Sequence, residues 1–210
     1  MYWEGVSRFR KFHSFVPYFR GRLQDHWQTL LEEKLSNARR VNQTDWDSPK
    51  IIPWARNVQN AILEAESPVI LIAHSFGVLA CVIGASRITD KVAGALYVAP
   101  ADPVKFTSAG QILSEAAQNW DTGLYNLVPK DRLGYPAIVA ASQDDPYMAF
   151  KRAAWWATKW QSRFISLGFA GHVNPNSGYG DWPEGEKLHQ ELIETANQDR
   201  LPQSNSFNWG

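Results

Sequence analysis

The chain has a single cysteine, Cys81, among its 210 residues, which excludes an internal disulfide framework and fits a reducing compartment. Cys81 itself reads as a small buried residue on a helix. No apolar run approaches the roughly eighteen residues that a membrane span needs. The stretch from Met1 to Arg10 is charged and aromatic where a secretory signal would be apolar. Neither charge is in excess: 21 Lys and Arg balance 21 Asp and Glu, so no nucleic-acid or anionic-membrane partner is expected. The clusters Arg8-Phe9-Arg10-Lys11 and Arg39-Arg40 are short and read as solvated edges. No Gly-rich phosphate loop is present, and no His, Asp and Glu residues recur at metal-ligand spacing. The expectation is a cytoplasmic protein that works without cofactor or metal. No protein partner or homodimer is indicated.

What is present is material for a core. Hydrophobic residues make up 44% of the chain and tryptophan occurs ten times, enough for one packed domain over residues 1–210 with a polar tail from about 197 to 210. The central stretch is Pro68 to Ala80. Val69-Ile70-Leu71-Ile72 is almost wholly apolar, as in a strand buried on both faces of a parallel sheet. Val78 to Ile83 then suits a helix. Similar strands are expected at Phe12–Val16, Ala38–Asn42, Val92–Ala99, Pro136–Ser142 and Arg163–Leu167. Helices are expected from an Asp25 cap through Trp27, Leu30, Leu31 and Leu35, and over Ile51 to Glu66 with Ile51, Ile52, Ala55, Val58, Ile62 and Leu63 on one face. Two more run through Ala149 to Trp160 and Glu184 to Ala196. Residues 102–133 are the least regular, with one short helix expected around Ile112 to Trp120. This alternation implies an α/β fold, three-layer α/β/α, with a parallel sheet of about six strands in the order 2-1-3-4-5-6.

Between the central strand and its helix lies Ala73-His74-Ser75-Phe76-Gly77, a small-x-Ser-x-Gly turn. Such a turn holds a serine on a tight strand-to-helix bend, and its neighbours two residues away must be small because they pass close together. The simpler alternative is that Ser75 caps the helix. In a parallel sheet ligands lie at the carboxyl ends of the strands, which is where Ser75 falls.

A serine hydroxyl needs a base to take its proton, and the base needs an acid to hold its tautomer. Of the two downstream histidines, His189 lies within the terminal helix and reads as a surface residue, whereas His172 follows the last strand and is the candidate base. Three aspartates stand at strand ends: Asp102, Asp144 and Asp145. Asp145 is chosen because it precedes Pro146, which favours an extended backbone, and because its strand is nearer His172. Asp144 is its replacement and Asp102 a turn residue. The backbone N–H of Phe76, at the start of a helix, is one oxyanion donor, and that of Phe19 is the candidate for the second. Tyr18, His74, Tyr147, Tyr179 and Trp182 are candidates for the substrate pocket. His26 and Trp27 begin an adjacent helix, with Trp27 read as core.

These stretches, together with Asp25-His26-Trp27-Gln28, Asp45-Trp46-Asp47, Val98-Ala99-Pro100-Ala101-Asp102-Pro103 and Gly178-Tyr179-Gly180-Asp181-Trp182-Pro183, resemble the small serine hydrolases typified by retinoblastoma-binding protein nine and bacterial YdeN. The resemblance runs from the first strand to the terminal helix. It implies a minimal α/β-hydrolase fold with a Ser-Asp-His triad on Ser75, Asp145 and His172, acting on small esters or amides through an acyl-enzyme. Members usually carry Pro-Gly after the first strand, where this chain has Pro17-Tyr18, and small residues where it has Arg22-Leu23-Gln24. The competing expectation is a weakly active or non-catalytic binding scaffold on the same fold.

Overall fold

The structure, a computed structural model, describes residues 12–16, 24–118 and 123–198, with the first of these segments described by its backbone. Six strands, β1 (Phe12–Val16), β2 (Ala38–Arg40), β3 (Val69–His74), β4 (Val92–Val98), β5 (Ala137–Ala141) and β6 (Arg163–Ser166), form one sheet in the order β2-β1-β3-β4-β5-β6. Every neighbouring pair is parallel. This is the order expected from right-handed crossovers. Every residue of β3, β4 and β5 is buried, which explains why these strands are apolar almost throughout instead of alternating.

Among the described residues six helices cover the two faces: α1 (Trp27–Lys34), α2 (Ile51–Glu64), α3 (Phe76–Ala85), α4 (Gly123–Leu127), α5 (Phe150–Lys159) and α6 (Pro183–Gln198). One core gathers Val69, Leu71 and Ala73 of β3 with residues of α2, α3, α4 and α5. The other gathers Ile70 and Ile72 with Trp27 and Leu31 of α1 and Leu188, Leu192 and Ala196 of α6. Strand alternation alone sends β3 side chains to both layers. The helices α2 and α3 touch closely at Gly84, where an added Cβ would lie 2.5 Å from the Ala55 carbonyl oxygen. Among the described residues no helix is long and apolar enough to cross a membrane.

Several local expectations change. His26, not Asp25, caps α1, its side chain accepting from the Gln28 N–H at 3.2 Å. The buried face of α2 is Ile51, Trp54, Ala55, Val58, Ala61 and Ile62, while Ile52 and Leu63 stay 45% and 47% exposed. Burying the large Trp54 ring outweighs two aliphatic side chains and sets the rotation of the helix. In residues 102–133 the expected helix is a 3₁₀ turn at Glu115–Ala117, followed by α4. Upstream, the Thr107 hydroxyl accepts from the N–H groups of Ala109 and Gln111, and Leu113 donates to the Lys105 carbonyl. Those donors are therefore committed to a turn rather than a helix. His189 is buried because it shares the inward stripe of α6 with Gly185, Leu188, Leu192 and Ala196. That helix runs on through Gln198, two residues into the expected tail.

Candidate active site

The carboxyl ends of β3, β4, β5 and β6 lie side by side, His74 paired with Val98, Val98 with Ala140, and Ala141 with Ser166. The loops that leave them converge. Ser75 turns from β3 into α3 at φ 54° and ψ −126°, a sparsely populated conformation that costs a non-glycine residue about 1–3 kcal/mol. It makes no side-chain capping bond to α3. Its hydroxyl instead donates to His172 Nε2 at 2.8 Å. His172 Nδ1–H donates to both carboxylate oxygens of Asp145, at 3.0 and 2.9 Å. Ser75, His172 and Asp145 are 2%, 3% and 9% exposed, so water competes little for these bonds.

The loop that carries His172 is fixed from several directions. Ser142 Oγ accepts from Ala170 N–H at 2.9 Å and donates to Asp144 Oδ1 at 2.5 Å. Asp144 Oδ1 accepts from Gly171 N–H at 2.8 Å, and these two bonds, the Ser142 hydroxyl first, hold its carboxyl below the usual carboxylate range. Asp144 therefore clamps the histidine loop and does not touch the imidazole. The N–H of His172 donates to Ser177 Oγ at 3.1 Å. A Cβ on Gly171, whose φ is 54°, would lie 2.4 Å from that same oxygen, so only glycine fits there. Val173 sits at φ 48°, a rare conformation for a β-branched residue. It is fully buried and its carbonyl accepts from Trp27 Nε1 at 3.0 Å.

Asp145 is held in the same manner. Its Oδ1 accepts from the Tyr147 N–H at 2.8 Å. The Tyr147 carbonyl accepts from Asp102 N–H at 3.3 Å, and Lys105 Nζ donates to the Pro146 carbonyl at 2.9 Å. Asp102 does make the expected turn, accepting from Val104 N–H at 3.2 Å, but it is also buried and paired with Arg152 Nε at 3.0 Å. Burial pushes its carboxyl up, partly offset by the Val104 N–H and the Arg152 cation.

Beneath His172 lie two more imidazoles. His74 is fully buried, its ring 4.7 Å from that of His172 and 5.1 Å from that of His26. Burial pushes the His74 imidazole well below its ordinary range, and the neighbouring His172 and His26 add to this. His26 is pushed down to about 4, first by burial, then by the Arg40 and His172 charges. Both are neutral at neutral pH, and neither offers a surface to substrate. His74 was expected in the pocket; as the last residue of β3 it points into the α1/α6 layer, one step out of phase with Ser75.

Trp182 is likewise 6% exposed and stacks edge-on against Trp27, with centroids 5.2 Å apart, so it belongs to the core and not to a pocket. Tyr179 packs on Trp182 at 5.8 Å. The left-handed Gly178 and the start of α6 at Pro183 fold this segment under α1. The Tyr147 ring lies 4.6 Å from that of His172. Tyr18 and Phe19 lie outside the described residues. The Phe76 ring is buried between Trp54, at 5.8 Å, and Phe106, at 6.0 Å, while its N–H opens α3. Phe106 in turn approaches Tyr147 at 6.3 Å, and Trp46 stacks on Trp54 at 5.3 Å. Phe106 and Trp46 join this ring cluster unforeseen, because the irregular segments that carry them have no periodicity to read.

An alcohol bonded to a carboxylate-oriented imidazole can lose its proton while attacking an electrophilic carbon. The family model of serine hydrolases matches residues 14–191 of this chain. A YdeN-like hydrolase from Pectobacterium atrosepticum is 30% identical, with 88% of this chain and 91% of that one covered and a TM-score of 0.76. The ydeN gene product of B. subtilis is 18% identical over 88% and 99% of the two chains, with a TM-score of 0.66. The esterase domain of a Rhodothermus marinus protein is 17% identical over 90% and 89%, with a TM-score of 0.66. No curated protein sequence matches significantly. With most of the chain covered by the family model and the α/β-hydrolase fold shared with these structures, the protein belongs to the serine hydrolase family, on its YdeN-like side.

Proposed function

We propose that this hydrolase cleaves small carboxylic esters or amides through an acyl-enzyme on Ser75, within a single catalytic domain. The observation that carries the reading is that the Ser75 hydroxyl is bonded to His172 Nε2 at 2.8 Å and does not cap its helix. In the first half-reaction Ser75 Oγ attacks the substrate carbonyl carbon and passes its proton to His172 Nε2. Asp145 holds Nδ1–H in place and offsets the imidazolium charge. The Phe76 N–H, at the positive end of α3, is one donor to the oxyanion, and Phe19 is the proposed source of the second. His172 returns the proton to the leaving oxygen or nitrogen as the acyl-enzyme forms. Water then attacks that ester by the same route, with His172 taking its proton, and the acid product and free Ser75 are released.

Tyr147 flanks the base, and Phe106 bridges from it to Phe76, the residue after the nucleophile. Tyr147, the partly exposed ring, lines the substrate space with the buried Phe106 and Phe76 behind it, and this apolar side favours an apolar or aromatic acyl group. A fluorophosphonate probe tests the reading. It should label the native protein once, at Ser75, with no label on Ser75→Ala and much slower labelling of His172→Ala. A native protein that takes no label and hydrolyses no ester in a panel of acyl lengths would support the binding-scaffold reading instead.

A further inference from the structure

The three imidazoles form a line that the proposed chemistry uses only at one end. His172 bonds to Ser75. His74, next along, is one residue before Ser75 and fully buried, and its Nε2 lies 2.7 Å from the main-chain oxygen of His172. A carbonyl oxygen only accepts, so His74 Nε2 carries the hydrogen, and its tautomer is fixed by that bond. The ring is wedged between His26, Trp27 at 6.1 Å and His172 at 4.7 Å.

The covalent path between nucleophile and base runs through 97 residues, so their separation depends on a shorter non-covalent path. His74 supplies it. Its main chain is continuous with that of Ser75, which donates to the Val98 carbonyl at 3.1 Å as β3 ends. Its side chain reaches the main chain of His172 directly. We infer that His74 is a positioning residue: its Nε2–H···O bond to the His172 carbonyl sets the height of the base above the nucleophile. The inference rests on the serine-hydrolase reading of the site.

The alternative role for a buried histidine is filling space, and a leucine would do that nearly as well. The two roles separate in kinetics. A misplacement of about 1 Å between reacting groups costs about 100-fold in rate, while ground-state binding on the opposite wall is untouched. His74→Leu keeps bulk and loses the donor; His74→Gln keeps an N–H at similar reach.

The expected result with a small ester is a kcat for His74→Leu lower by about 100-fold, with KM held within about twofold. Fluorophosphonate labelling should slow in proportion, and His74→Gln should recover at least about tenfold of the loss. Leu and Gln variants with equal kcat, whatever their unfolding midpoints, would overturn the inference, as would a Leu variant within about threefold of native. A measurement on the unaltered protein covers the case in which a variant does not fold. Long-range ¹H–¹⁵N spectra of the histidine rings should show His74 as the neutral Nε2–H tautomer at neutral pH; the Nδ1–H tautomer or an imidazolium would overturn it. Absence of any Ser75 labelling in native protein sinks the hydrolase reading separately, and leaves the tautomer measurement to decide the hydrogen bond.

Discussion

Acid should unfold this protein earlier than its carboxylates require, and His26 is the main reason accessible to mutation. In the folded chain its imidazole is pushed down to about 4, whereas unfolded histidine titrates near 6.5. Between those limits the unfolded chain binds a proton that the folded chain refuses. The stabilisation is therefore complete above pH about 6.5 and is lost as pH falls toward 4, with a total of about 3 kcal/mol. That is a large part of the 5–15 kcal/mol that typically holds a domain folded. His74 is depressed for the same reason and titrates with the same sign, so it adds to the loss of stability on acidification. His26→Asn isolates one of the two imidazoles. Asparagine is a good N-cap, and its side-chain oxygen can take the Gln28 N–H that His26 Nδ1 accepts now. Urea unfolding of both proteins at several pH values between about 6.5 and 4.5 gives the comparison. The difference between the curves cancels carboxylate effects, and the variant's slope should be shallower by about 1.4 kcal/mol per pH unit. Parallel curves would refute the argument, because they would mean that the folded protein already protonates His26 as readily as water does.

Asp145→Asn should lower kcat by about 10⁴, since the imidazole then loses the acceptor that fixes its tautomer. Asp144→Asn should lower it by only about tenfold through a looser histidine loop, and steady-state kinetics of the pair distinguish the acid from the clamp. Phe106→Ala should raise KM for aromatic esters by about tenfold, worth about 1.4 kcal/mol of lost ring contact, with less effect on acetyl esters. Trp27→Phe removes the bond to the Val173 carbonyl and should cost about 1 kcal/mol of stability in urea.

The sheet order is legible because three strands are apolar almost throughout, and β3 and β5 are each followed by a helical pattern, which leaves few right-handed topologies. Ser75, His172 and Asp145 could be singled out because chain order and strand ends restrict where such groups can meet. What escaped was orientation. Nothing in Ala73-His74-Ser75 says which layer His74 enters; that follows from the parity of β3, and parity depends on where the strand stops. Trp182 and Tyr179 stand in a glycine-rich stretch that looks like an exposed loop, and the left-handed Gly178 folds it inward. The burial of His189 is hidden in the sequence because the inward stripe of α6 includes the small residues Gly185 and Ala196. Phe106 lies in a segment whose turns are made by a threonine hydroxyl, which leaves no period in the hydrophobic residues.

The two faces of the sheet carry different parts of the task. Everything that grips the base from below belongs to the layer of α1 and α6: His74, His26, and Trp27 on the Val173 carbonyl. The rings proposed to border the substrate side, Phe106, Tyr147 and Phe76, and Trp46 behind them, pack with the core of α2, α3 and α5. The base layer also offsets the backbone strain, since Val173 keeps φ 48° only while it is buried and bonded. On the other side the Tyr147 N–H also holds Asp145, so that loop serves both acid and wall, whereas the Phe106 and Trp46 rings pack against other rings and can vary with less effect on proton transfer. Substitutions in the first layer should therefore appear in kcat and in labelling rate, and those in the second in KM and in the choice of acyl group. If Phe106→Ala lowered kcat equally for every ester, or His74→Leu changed acyl preference alone, the division of roles would be wrong.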